Sequence, residues 1–311
     1  MYLFSNILGI FVFENQFKLA DEILFKNSDE YNNKEKFIEK IKSKHKNLED
    51  PDEKAAQKII LHFKNPTYSA GFYNNNLELT KLDVKNSVNE DNLIIQSIKS
   101  VEDIEKSANL LVKRLREWYD LYNPEFSRAI ENHEIFVEEI LNNEKNELLK
   151  KINIGKNGTI GAELNQEDVG IIKSLAHQIY WLYQLRKKQL DYISVSMDNF
   201  CPNIKAVCDV IVAAKLIEHA GSLKRLSMLP ASTVQILGAE KALFRHMKTG
   251  SKPPRHGVIV NHLLIAKAPD RMHGKIARTL ADKISIAAKV DYFQGKFIGD
   301  ILRKEIEDKF K

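Results

Sequence analysis

The stretch Asp168 to Ile193, DVGIIKSLAHQIYWLYQLRKKQLDYI, decides the architecture. Val169, Ile172, Ala176, Ile179, Tyr183, Arg186, Leu190 and Ile193 recur at alternating steps of three and four, and only Arg186 among them is not apolar. A repeat of that period sets one side chain per turn on a single seam, which is the pattern of a helix packed along another helix. Upstream, Ile104, Ala108, Leu111, Leu115 and Trp118 keep the same period. Pro124 kinks or interrupts that helix, and Ile130, Val137, Leu141 and Leu148 resume it. Between the two runs, Gly155, Gly158 and Gly161 remove helical preference. The expectation is an antiparallel coiled-coil hairpin over residues 101–195. A lone hairpin buries little apolar surface, so the seam Val169, Ile172, Ala176, Ile179 and Tyr183 is expected to pair with a second copy of the chain. Two helices of a larger bundle is the other open reading.

On the N-terminal side, residues 1–100 read as a small α/β domain. The apolar runs Ile7 to Phe13 and Ala70 to Tyr73, then the alternating Leu77 and Leu79, bracket a Lys/Glu-rich middle. Lys64-Asn65-Pro66 marks a loop, and Asn74-Asn75-Asn76 is consistent with a hairpin turn between strands. The charged segment Asn27 to Asp52 is either a solvated helix or a mobile insertion. On the C-terminal side, residues 196–311 read as an all-α domain, with Val207, Val210, Ile211, Ala214, Leu216 and Ile217 in one apolar stripe. The fold class is therefore mainly α with a small α/β N-terminal domain.

Charge is concentrated in the last third. Gly238 to Val290 carries eleven basic and three acidic residues, a local charge of +8 in a chain whose total is +5, together with His246, His256, His262 and His273. A positive region on an otherwise slightly acidic chain is the footprint of a polyanion. Lys241, Arg245 and Lys248 share one side of a helix whose Leu243, Phe244 and Met247 are available to the core, and Thr249-Gly250 ends it. The loop Ser251 to Gly257 then presents Lys252, Arg255 and His256 on a backbone stiffened by Pro253 and Pro254, a fixed platform for unstacked RNA bases. Lys275, Arg278 and Lys283 follow on a second helix. His262 and His273 read as ordinary surface or core histidines.

Catalytic patterns are missing: there is no HExxH or GxSxG, and Gly274-Lys275 lacks the flanking residues of a phosphate-binding loop. Clustered His and Lys leave acid/base cleavage of RNA as an enzyme alternative, but no carboxylate or second histidine is placed by sequence to orient them. The chain is expected to be non-catalytic, with no cofactor and no metal. Cys201 and Cys208 read as buried thiols of a reduced compartment. No apolar run is long enough to cross a bilayer, the N-terminus reads as a strand rather than a signal peptide, and a cytoplasmic protein is expected.

GAEKALFRHMKTGSKPPRHG from Gly238 and GKIARTLADKISIAAKVDYFQG from Gly274 resemble the signature of the Nop-domain family, the core proteins of box C/D small ribonucleoproteins in archaea and their eukaryotic nucleolar relatives. REWYDLYNPEF at Arg116 to Phe126 and NEDNLIIQSIKSVEDIEKSANLLVKRL at Asn89 to Leu115 are similar to the segments that lead into that family's coiled coil, although Asn123 stands where an aromatic residue precedes the Pro-Glu pair. The resemblance covers residues 89–311 and is most specific over 230–295. It implies a scaffold: an N-terminal domain holding fibrillarin, a self-associating coiled coil, and an end domain clasping a box C/D guide RNA at a kink-turn bound by an L7Ae-type protein. Gly238, Ala239 and Glu240 would touch that protein. A kink-turn adaptor of the spliceosomal type, with no methyltransferase, is the alternative within the same family.

Overall fold

The computed structural model describes residues 1–155 and 158–310 and divides the chain into two compact units, Met1–Asn89 and Glu90–Lys311. In the first unit, β1 (Tyr2–Ser5), β2 (Gly9–Phe13) and β3 (Leu19–Leu24) form an antiparallel sheet in that order. Every residue of β2 is buried, because helices cover both faces of the sheet. Ile10 and Val12 pack with Leu3, Phe25 and Ile41, whereas Phe11 and Phe13 point the other way, to Leu8 and Ile59. The apolar run around β2 is thus a central strand and not one side of an amphipathic element.

Helices α1 (Ser28–Asn32) and α2 (Lys34–Lys44) take up the first part of the charged segment, and residues 45–52 follow outside any helix. Then come α3 (Glu53–His62) and α4 (Pro66–Asn86). The hairpin expected at Asn74 to Asn76 is absent, and α4 runs straight through it. Asn65 caps α4 by accepting from Thr67 N at 3.1 Å, and Pro66 occupies the first turn, where a missing N–H costs nothing. Tyr68, Gly71, Asn75, Leu79 and Leu82 are its half-buried positions, at steps of three and four. Asn75 Nδ2 donates to the Ile7 carbonyl at 2.9 Å, so a residue that favours turns in isolation is bonded to a neighbouring segment instead.

The second unit opens with α5 (Glu90–Tyr119), which packs antiparallel along α9 (Gln166–Phe200). Ile94, Ile98 and Val101 meet Ile193 and Met197 at one end; Ala108, Val112, Leu115 and Tyr119 meet Ile172, Ala176, Ile179 and Tyr183 at the other. Between them the chain does not resume one long helix after Pro124. It breaks into α6 (Pro124–Ala129), α7 (His133–Asn142) and α8 (Lys145–Lys151), which close the end of the hairpin. Asn123, buried, caps α6 through Phe126 N at 3.3 Å, and Asn132 caps α7, so each polar break in the apolar pattern starts a new helix.

The remaining helices are α10 (Pro202–Cys208), α11 (Val210–Ala220), α12 (Leu223–Met228), α13 (Ala231–Ile236), α14 (Glu240–Thr249), α15 (Leu263–Ala266), α16 (Asp270–Tyr292) and α17 (Gly299–Phe310), with a 3-10 turn at Val258–Asn261. α16 is the axle: Ile276, Ala277, Leu280, Ala281, Ile284, Ala287 and Ala288 are buried in one core with residues of α10 to α13. Carboxylates from distant elements finish two of these helices. Asp291 accepts from Asn203 N at 3.1 Å and Ile204 N at 2.9 Å at the start of α10, and Asp91 accepts from Leu223 N at 2.7 Å at the start of α12. Cys201 and Cys208 are buried free thiols, pushed up by desolvation. No helix among the described residues is long and apolar enough to cross a membrane.

Candidate nucleic-acid interface

The basic segment leaves the core and returns to it through a narrow neck. Gln235 Nε2 donates to the Arg255 carbonyl at 2.7 Å, Gly257 N donates to the Gln235 carbonyl at 2.8 Å, and Val258 N donates to the Leu237 carbonyl at 2.8 Å. Two glycines permit this closure. Gly238 has φ +87°, and a Cβ on Gly257 would stand 1.9 Å from the Leu237 carbonyl oxygen. Everything between them, α14 and the loop after it, forms an excursion held at its base by hydrogen bonds.

α14 has no buried residue. Leu243 is half-buried, but Phe244 and Met247, expected in the core, are 60% and 69% exposed. The reason is that the helix touches the rest of the unit along only one edge, Ala242, Leu243 and His246, and the core is already filled by α16. Lys241, Phe244 and Lys248 therefore recur on one outward face at helical spacing, with Arg245 and Met247 beside them. Gly250, at φ +67°, ends the helix, and His246 Nδ1 donates to the Ser251 carbonyl, which fixes the start of the loop.

In the loop, Lys252 and Arg255 are exposed and His256 is half-buried. The His256 ring lies 6.0 Å from that of His273 on α16, centroid to centroid. A second histidine thus stands beside the first, which spacing alone did not give. Burial, and after it the neighbouring His273 and Arg255, hold His256 below the ordinary histidine range. His273 Nε2 donates to the Ala268 carbonyl at 2.8 Å. Lys275 and Arg278 are exposed on α16. Among the described residues, none of Lys241, Arg245, Lys248, Lys252, Arg255, Lys275 and Arg278 has an ion-pair partner. Lys283 does: it is half-buried and paired with Glu305 of α17, so its charge is neutralised within the fold. His262 is a core histidine, 4% exposed.

Gly238, Ala239 and Glu240 line a cleft of about 590 Å³ with His219, Lys241 and Arg245. Glu240 Oε1 accepts from Gly238 N at 2.7 Å, so the one acidic side chain at the mouth is turned onto the backbone of the neck. Sequence reasoning missed Gln235, whose side chain ties the neck, and the outward Phe244 and Met247. The signal for the latter was present, since Phe244 and Met247 fall off the stripe set by Ala242, Leu243 and His246.

The seam residues have a different fate from the one expected. Ile172, Ala176, Ile179 and Tyr183 are at most 5% exposed and packed against α5 of the same chain, and Val169 is half-buried at the end of that row. They are consumed inside the hairpin, because α5 supplies a complementary row that covers them. The apolar residues of α9 left outside are Ile171, Trp181, Leu185, Tyr192 and Val195, 44% to 64% exposed and on one face.

A protein-family profile for Nop, described as snoRNA binding domain, fibrillarin, matches residues 100–311. An uncharacterized NOP5 family protein of Methanocaldococcus jannaschii is 40% identical over 247 residues, covering 75% of this chain and 58% of that protein. Nucleolar protein 56 of Caenorhabditis elegans is 36% identical over 246 residues, 71% of this chain and 50% of that protein. Nucleolar protein 58 of Candida albicans is 36% identical over 217 residues, 65% of this chain and 42% of that protein. The chain thus spans about half the length of these relatives. A chain in the crystal structure of a fibrillarin/Nop5p complex is similar at 23% identity and TM-score 0.46, over 99% of this chain and 98% of that one. The names of the relatives correct the expected compartment: the eukaryotic members are nucleolar proteins, which indicates the nucleolus for them rather than the cytoplasm. The profile match over residues 100–311 takes in the hairpin from within α5 onward, the neck and the basic excursion, and the chain belongs to the Nop family.

Proposed function

We propose that this chain is the scaffold subunit of a box C/D RNA-guided 2′-O-methylation complex. Its α/β unit, in this reading, holds fibrillarin, the methyltransferase, and its Nop unit holds a box C/D guide RNA at a kink-turn already bound by an L7Ae-type protein. The chain itself contributes no catalytic residue and no cofactor. It acts by fixing the distance between guide RNA and methyltransferase, and positioning of that kind can supply a large part of a rate enhancement.

The observation that carries the reading is the neck-closed excursion, whose cations Lys241, Arg245, Lys248, Lys252 and Arg255 have no carboxylate partners among the described residues and are joined by Lys275 and Arg278 of α16. Unpaired cations with outward rings suit a folded RNA that offers both phosphates and unstacked bases. The cleft at Gly238, Ala239 and Glu240 lies against these cations, which supports a composite surface for RNA and the L7Ae-type protein. Self-association is reassigned from the buried seam to the outer face of α9.

The test is reconstitution with fibrillarin, the L7Ae-type protein and labelled guide RNA, omitting each in turn. Arg255→Ala with His256→Ala is expected to weaken capture of the protein-bound kink-turn and to lower its salt dependence. Equal affinity and equal salt dependence would move the RNA site elsewhere. Capture without guided methylation would favour the spliceosomal type of adaptor, and shortened RNA would favour a ribonuclease.

A further inference from the structure

Beside the neck, α13, α16 and α17 enclose a groove of about 610 Å³ lined by Ser232, Gln235, Arg278, Thr279, Asp282 and Lys309, with the Lys283–Glu305 pair as a further wall. We propose that this groove is a second sugar-phosphate binding site, which carries the RNA strand from the basic excursion onto α17. The proposal rests on reading the excursion as an RNA site.

Continuity is the first argument. Gln235 lines the groove, and its side chain is bonded to the Arg255 carbonyl, so the groove begins where the basic loop ends. The second argument is the character of the lining. Arg278 is exposed, and neither it nor Lys309 has an ion-pair partner among the described residues; Lys309 Nζ donates to the Thr279 hydroxyl at 3.2 Å and lies 5.9 Å from the centroid of the Phe310 ring. The two cations suit a phosphate, the guanidinium as a two-donor fork and the ammonium as a point charge. The third argument separates RNA from an acidic peptide. Asp282 is exposed and without an ion-pair partner among the described residues, and Glu305 also faces the groove; both repel a row of carboxylates. A ribose-phosphate strand presents phosphates to Arg278 and Lys309 and hydroxyl donors to Asp282, Ser232 and Gln235, which matches a lining of mixed sign.

Lys309 and Ser232 lie outside the basic excursion and give the proposal its own readout. Titrations of a fluorescent kink-turn RNA, loaded with the L7Ae-type protein, would be run on the full chain over a series of salt concentrations. Lys309→Ala with Ser232→Ala is expected to weaken binding and to flatten the plot of log affinity against log salt by about 0.7–0.9, the loss of one phosphate contact. Lys304→Ala removes the same charge from the same helix outside the groove and is expected to leave the slope unchanged. Equal slopes for the Lys304 and Lys309 variants, with Arg255→Ala still flattening the plot, would overturn the groove and leave the excursion standing. If Arg255→Ala also has no effect, the RNA reading fails and the groove with it. A polyglutamate peptide that binds the wild type, and is lost on Lys309→Ala while the RNA slope is unchanged, would assign the groove to an acidic segment instead.

Discussion

His262 shows how one side chain ties the fold to protonation. It is buried, and its Nδ1 accepts from Leu264 N at 3.3 Å, capping α15, so the ring proton must sit on Nε2. Nε2 faces Asp209 Oδ2 at 3.9 Å, too far for a hydrogen bond. Desolvation outweighs that carboxylate and holds the imidazole below the ordinary histidine range. A histidine whose folded pKa is lowered contributes stability that is complete above the unfolded value, about 6.5, and is lost as pH falls below it. Protonation would also place a hydrogen on Nδ1 and end the cap, worth about 1 kcal/mol. The wild type is expected to lose more of its urea midpoint between pH 7.5 and pH 5.5 than His262→Asn, which keeps an acceptor but cannot titrate. The same loss in both proteins would show that other groups set the acid limit.

At the scale of the element, the hairpin of α5 and α9 has two apolar faces with different duties. Ile179 is fully buried between the helices, whereas Trp181, two residues on, is 59% exposed. Ile179→Asp would set a charge in a closed seam with no partner, and is expected to unfold the hairpin or cost several kcal/mol. Trp181→Asp is expected to leave circular dichroism and thermal unfolding close to the wild type while lowering the mass found by light scattering. The opposite result, with Ile179→Asp a folded monomer, would restore the seam as the intermolecular surface. The seam's period was legible because each of its positions is decided by local helical geometry. That the two helices pair as a hairpin was legible from their shared period; that α5 covers the seam fully and leaves none of it for a second copy was not, since periodicity does not say how much of a stripe one partner buries. α14 failed for the related reason that an amphipathic pattern does not reveal a core already filled by α16. The hairpin read at Asn74 to Asn76 failed because Asn75 is bonded to Ile7, a contact invisible to local turn preference. The neck was half legible: Gly238 and Gly257 mark strained or crowded backbone, but their facing across the chain depends on Gln235 and Leu237.

At the scale of the molecule, the chain changes character between Asn89 and Glu90. Before that point, the two faces of one small sheet are covered by helices; after it, the structure is helical among the described residues and has cores of its own. The cations of the proposed RNA site and the groove on α17 all belong to the second unit. A unit with a closed core of its own is expected to keep its fold when cut free. Deleting residues 1–89 should then leave kink-turn binding near the full-length value, because neither the neck nor α16 draws on the first unit for its core. Guided methylation should be lost, since the proposed fibrillarin platform has gone. The two outcomes are read on one preparation, by gel shift and by transfer of a tritiated methyl group with fibrillarin in excess. Full-rate methylation by the truncated chain would place the methyltransferase on the helical unit and overturn the proposed division. Loss of both activities, with circular dichroism still helical, would mean that the first unit takes part in holding the RNA.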